Sequence, residues 1–185
     1  RLYVVDRANL VEIDIEAGKI VKKHPVPGAR FINDVAFDAA GNAYISDSQQ
    51  HVIYRFAGGK FEVWLKSDEI RSPNGVCVDN DKLLIGTIGE GAIKAVDLSD
   101  KKVTPIAGLG SGAVIDGLRV DGEGNYLVSD YNGRGFRGTP AGKKTKLLDT
   151  TVPGKFCADF EYIADKNLLI IPSLYDNRLM AYKLK

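Results

Sequence analysis

Four oxygen-bearing side chains, Asn33, Asn74, Asp116 and Asp159, follow one another at separations of 41, 42 and 43 residues. Each stands at the start of an apolar run, as in Ser72-Pro73-Asn74-Gly75-Val76 and Val114-Ile115-Asp116-Gly117-Leu118. Amides and carboxylates brought to one place are hard donors that suit calcium, which takes six to eight oxygens at about 2.3–2.6 Å, better than zinc, which favours His and Cys. Asn33, Asn74 and Asp116 are the candidate metal ligands. Asp116 and Asp159 are the candidate catalytic carboxylates, the role of Asp159 as a base resting on spacing alone. A plainer reading stays open, that Asn and Asp recur because they make good turn residues ahead of strands.

Other chemistries find little support. The two histidines, His24 and His51, fall in an outer strand and beside a hairpin turn, and no Gly-x-Ser-x-Gly motif is present, so a Ser-His-Asp triad is not expected. The run from Gly108 to Ala113 precedes a strand instead of opening a helix, which argues against a dinucleotide loop. Asp6, Asp47 and Asp130 close second strands, where a carboxylate accepts hydrogen bonds from the following hairpin and is structural. Cys77 and Cys157 are too few for a disulfide scaffold and read as free buried thiols.

The elements that must position the four residues are strands. Phe31 to Asp38 runs on to Tyr44-Ile45-Ser46-Asp47, and near-copies start at Ser72, Val114 and Ala158. A period of about 40 to 50 residues built of short strands indicates the blades of a β-propeller. The expected fold is all-β, of four-stranded antiparallel blades: a partial blade over 1–26, full blades over 31–66, 73–108 and 116–150, and a partial blade over 159–185. About four and a half blades therefore imply a partial, open or assembled ring, with self-association through open blade edges as one expectation. Inner strands run along the propeller axis, so equivalent strand starts all face one end of a central channel. In the third strands, Gly135 and Gly138 stand where the neighbouring units carry large apolar residues, which predicts either a void or compensation by an adjacent blade.

The 185 residues, 44% hydrophobic and 26% charged, describe an ordinary globular chain with one sizeable core. The formal net charge is +1 and the lysine pairs do not gather on one face, which argues against nucleic acid as a partner. No apolar run reaches the 18 residues of a membrane helix. The chain opens on Arg1 directly before a strand, which leads us to expect a removed upstream segment and leaves the compartment open.

Pro73-Asn74-Gly75, Ile115-Asp116-Gly117, the Asn33-Asp34 pair and the turns before Asn42 and Asn125 together resemble the SMP-30/gluconolactonase/LRE-like family of six-bladed propellers. Tyr44 to Asp47 leading into His51 to Tyr54 is similar to an NHL repeat. The family resemblance implies a lactonase holding one divalent metal, commonly calcium, at the channel mouth. Asn74 and Asp116 match two of the family's ligands and Asn33 an asparagine lining the site, while the family's first-blade glutamate has no counterpart here. The expected function is a metal-dependent hydrolase of lactones or esters; the alternative is a non-catalytic NHL-like propeller that binds a peptide or small ligand.

Overall fold

The computed structural model describes residues 1–152, 154 and 156–184; Lys185, the last residue expected in the final blade, lies outside them. Among the described residues, short alternating apolar segments separated by Gly, Asn and Asp turns fold into eighteen strands in five antiparallel sheets of three, four, four, four and three strands. The sheets are β1–β3 (Leu2–Asp6, Asn9–Asp14, Lys19–Pro25), β4–β7 (Ile32–Phe37, Ala43–Asp47, Val52–Ala57, Lys60–Lys66) and β8–β11 (Pro73–Asp79, Lys82–Thr87, Ala92–Asp97, Val103–Gly108). They continue with β12–β15 (Ile115–Val120, Tyr126–Asp130, Arg134–Gly138, Lys144–Asp149) and β16–β18 (Glu161–Ile163, Leu168–Ser173, Arg178–Lys183). Each is a meander, and together they are the consecutive blades of a β-propeller.

Blades are held to each other by sheet-on-sheet cores. Tyr44 and Ile53 of the second blade pack on Val76, Leu83 and Ile85 of the third. Leu84 and Ile93 of the third blade pack on Ile115, Leu118 and Val128 of the fourth, and Leu127 packs on Phe160, Leu169 and Ile171 of the fifth. Tyr3, Val5 and Leu10 of the first blade meet Ala43, Ile45 and Tyr54 of the second. In the first blade β1 contacts β4 as β5 contacts β8, so it occupies the place of a second strand.

Serine hydroxyls fix the blades at two junctions. Ser46 Oγ accepts the Asp34 N–H at 3.1 Å and donates to the Asn74 carbonyl at 2.7 Å. Ser129 Oγ accepts the Gly117 N–H at 2.7 Å and donates to the Ala158 carbonyl of the next blade. Asp47 and Asp130 are fully buried at the ends of their strands; Asp47 accepts four main-chain N–H groups, from Arg30, Phe31, Gln49 and Gln50.

The inner strands carry a bulge where the chemistry was expected. Pairing shifts between Ile32 and Val35, between Pro73 and Val76, and between Ile115 and Leu118, which lifts the two residues of each interval out of the ladder. The fifth blade corrects the sequence alignment by one residue. Ser129 reaches the Ala158 carbonyl as Ser46 reaches that of Asn74, and Asp159 accepts the N–H of the next residue at 2.7 Å as Asp34 does. Asp159 is therefore the counterpart of Asp34, and Ala158 that of Asn74 and Asp116. The phenylalanine after Asp159 gave no Asn-Gly or Asp-Gly cue to that register.

The glycines of β14 divide. A Cβ at Gly135 would meet Leu148 Cβ at 3.4 Å beside a small apolar void of about 10 Å³ lined by Leu127, Cys157, Phe160 and Leu169, so Leu148 fills most of the missing volume. Gly138 has only the Tyr126 carbonyl within reach, at 4.0 Å. Cys77 and Cys157 are free, the first half-buried and the second buried.

Candidate functional site

At one end of the channel the bulges of the third and fourth blades place Asn74 beside Asp116. The closeness depends on glycine: a Cβ at Gly75 would stand 1.8 Å from the Asp116 carbonyl oxygen, so only glycine lets these two inner strands approach so far. Asn74 is 3% exposed, and its side-chain amide lies near enough to the Asp116 carboxylate to favour the ionised form. Its Oδ1 is buried and has no hydrogen-bond partner. A buried carbonyl oxygen without a donor costs stability unless something else satisfies it.

The carboxylates around it lack full compensation. Burial, and then the charge of Asp159, pushes Asp116 from its usual 3.8 to about 6, with the Asn74 amide pulling the other way. Asp34 is raised to about 7 by burial and again by Asp159, although it accepts the Val76 N–H of the next blade at 2.8 Å and that of Val35 at 2.7 Å. Burial raises Asp159 too, with Arg119 opposing. Arg119 is placed among them: its guanidinium donates to Glu161 at 3.2–3.4 Å and to the Leu118 carbonyl at 2.8 Å, and it feels Asp159 and Asp34.

Sequence-derived candidates thus divide. Asn74 and Asp159 both act on the Asp116 carboxylate. Asn33 is at the equivalent position of the second blade, but its Nδ2 donates to Ser48 Oγ at 3.2 Å. Among the described residues no group of three or more His, Cys, Asp and Glu side chains forms a metal cage, so a cation here would draw on the Asn74 amide oxygen and waters beside the carboxylates. The unpartnered Oδ1 and the strained ionisation of Asp116 fit such a cation, hard-oxygen in preference to zinc. His51 Nδ1 accepts the Ser72 N–H at 2.9 Å, and His24 packs on Phe56 and reaches Glu12 at 3.4 Å, so both histidines have structural partners. Burial pushes the Cys157 thiol up to about 12, which leaves it unreactive.

Three features escaped the sequence reading. Asp34 and Arg119 bring charge close to Asp159. Tyr131, Phe156 and Tyr175 form an aromatic wall, with ring centroids 4.9 and 5.8 Å apart, and Tyr131 is close enough to Asp116 to feel its charge. Next to it opens a hollow of about 410 Å³ lined by Ala158, Asp159, Pro172, Tyr175 and Arg178, large enough for a small organic ligand.

No family model and no curated protein matches the sequence. Solved structures do. Virginiamycin B lyase from Staphylococcus aureus superposes with a TM-score of 0.68 at 14% identity, covering 96% of this chain and 64% of its own. The nidogen/laminin complex gives a TM-score of 0.82 at 16% identity, covering 98% and 73%. A gluconolactonase from Xanthomonas campestris gives 0.70 at 18%, covering 90% and 63%. The chain therefore spans just under two thirds of the lyase and of the lactonase, and at these identities the likeness is one of fold.

Proposed function

We propose that the channel mouth is a divalent-cation site and that the chain belongs to a metal-dependent hydrolase of lactones or related esters. The observation that carries this reading is the buried, unpartnered Oδ1 of Asn74 beside an Asp116 carboxylate whose ionisation burial and Asp159 oppose. Asn74 and Asp116 hold the cation, probed first as calcium. A cation so held polarises an ester carbonyl and lowers the pKa of an attacking water. Asp159 stands near enough to act on Asp116 and accepts a proton from water at the mouth, while the Arg119 charge favours its ionised form. The aromatic wall of Tyr131, Phe156 and Tyr175 offers apolar surface to the rest of the substrate. Two of the structural neighbours, the gluconolactonase and the lyase, are enzymes by name, which is compatible with catalysis on this fold without establishing it.

A second reading, a non-catalytic propeller that binds a peptide or small ligand, draws on the high superposition with the nidogen/laminin complex. Calorimetric titration with calcium, magnesium and manganese, together with a lactone panel, separates the two. Stoichiometric binding with turnover that chelation abolishes supports the hydrolase. A folded protein that binds none of the three ions sinks it.

A further inference from the structure

Asn33 opens the inner strand of the second blade as Asn74 opens that of the third and Asp116 that of the fourth, each inside the bulge at its strand's start. What Asn33 shows to the mouth is decided by Ser48. This serine is 7% exposed and its main-chain N–H donates to the Phe31 carbonyl at 3.0 Å, so its hydroxyl is held in place. Oγ lies 2.6 Å from the carbonyl oxygen of buried Pro73, the residue before Asn74, and 3.2 Å from the side-chain amide of Asn33. Two oxygens at 2.6 Å repel unless a proton stands between them, and a carbonyl has none to give. The single hydroxyl proton of Ser48 is therefore committed to Pro73, and only lone pairs are left on Oγ. Asn33 must meet them with its Nδ2, a polarity that the network itself imposes on the amide. Oδ1, at the other tip of the same planar group, is turned away from Ser48, and no donor among the described residues reaches it. The places that correspond to Ser48, one residue past Thr87 and Asp130, hold Ile88 in the third blade and Tyr131 in the fourth. Isoleucine offers Asn74 no such partner, and the Asn74 amide is left to act on Asp116.

We propose that Ser48 is a positioning residue for the cation site: by receiving the Asn33 Nδ2 it presents the Asn33 Oδ1 to the mouth as a further oxygen ligand beside Asn74 and Asp116. This role rests on the reading of the mouth as a cation site. The bond to Ser48 thus keeps Asn33 in the ligand set instead of withdrawing it. An unanchored amide turns either end toward the mouth, and its N–H end repels a cation; the anchored one is ordered before the ion arrives. Because the same hydroxyl grips the Pro73 carbonyl, it also sets Asn33 in register with the strand that carries Asn74.

A double-mutant cycle of Ser48→Ala and Asn33→Ala tests this, read by calorimetric titration with calcium and by the luminescence lifetimes of bound terbium in H2O and D2O, which count the waters on the ion. Circular dichroism verifies folding, and Ser48→Cys, which keeps the size of the side chain and loses most of its hydrogen bonding, replaces Ser48→Ala if that variant does not fold. Ser48→Ala weakens calcium binding by ~10–100-fold, and Asn33→Ala weakens it by at least as much. Each variant leaves about one more water on terbium, in the place of the lost amide oxygen. In the Asn33→Ala background Ser48→Ala costs no further affinity, because Ser48 acts through Asn33. Equal affinity and hydration in Ser48→Ala and the original chain overturn the role of Ser48 while leaving the cation site standing. A Ser48→Ala loss that persists undiminished without the Asn33 amide also overturns it, placing the effect in the Pro73 main chain. An original chain that binds neither ion removes the cation site, and the role with it.

Discussion

Replacing Asp159 with asparagine should stabilise the metal-free protein at pH 8 and change little at pH 4. Asp116 rises from 3.8 to about 6, which at 1.36 kcal/mol per pKa unit is about 3 kcal/mol of opposition to its charged form. Burial is the larger cause and survives the substitution; the charge of Asp159 comes second for both Asp116 and Asp34 and does not. Channel water screens it, and the variant forfeits the attraction between Asp159 and Arg119, so the net gain is about 1 kcal/mol, or ~2–4 °C in melting temperature for a chain of this size. The amide oxygen can still accept the Phe160 N–H that Asp159 now accepts at 2.7 Å, so the strand start should hold its shape. Folded pKa values above the ordinary carboxylate value contribute stability that is present below that value and lost as pH rises through about 6 for Asp116 and about 7 for Asp34. The original protein should therefore lose stability across that window, and the variant less of it. Thermal melts in a chelator from pH 4 to 8.5 measure the difference. A variant that melts no higher at pH 8, or by a margin that does not depend on pH, refutes the claim that these carboxylates repel one another.

Further expectations concern the same site and its supports. Asp116→Ala should abolish cation binding and any lactone hydrolysis while leaving the far-ultraviolet dichroism intact, and Asn74→Ala should weaken both less completely; unchanged calorimetric affinity in folded Asp116→Ala refutes the site. Gly75→Ala should lower stability by more than ~2 kcal/mol, since its Cβ would stand 1.8 Å from a main-chain oxygen, and denaturant unfolding close to that of the original chain would contradict the close approach. Gly135→Ala should raise stability by ~0.5–1 kcal/mol by fitting at 3.4 Å from Leu148 and restricting the unfolded chain, whereas Gly135→Ile should overpack the same small space. Melting temperatures that move in the same direction for both would show the space misjudged.

The repeat was legible because its signals are local: a strand start, a turn and a second strand recur within each unit, and the hydrophobic alternation marks both faces of a blade. The pairing of Asn74 with Asp116 followed from that period alone. The fifth blade was misaligned because Asp159-Phe160 carries no glycine to mark the bulge, and only the reach of Ser129 to the Ala158 carbonyl reveals the register. Asp34 was missed for a related reason. It occupies the place held by Gly75 and Gly117 in the next two blades, so alignment suggests a position without a side chain, while its carboxylate in fact crosses to Val76. Arg119 is hidden by the bulge, which resets the alternation that would have predicted which way it points. The aromatic wall joins three separate loop regions, and no sequence period links them.

The approach of Gly75 to the Asp116 carbonyl also decides how the mouth ages under mutation. In the apolar cores the blades are spaced by side chains, and swapping one aliphatic residue for another changes that spacing by fractions of an ångström. Between Asn74 and Asp116 main chain meets main chain, and that contact is a hard stop set by atoms that every substitution retains. Drift in the apolar cores on either side can therefore tilt the outer strands while the gap between the two strands that carry Asn74 and Asp116 keeps its width. A scan of neutral variants should accordingly find the cores permissive and Gly75 invariant, an asymmetry that preserves the site's calibration while its scaffold is rewritten.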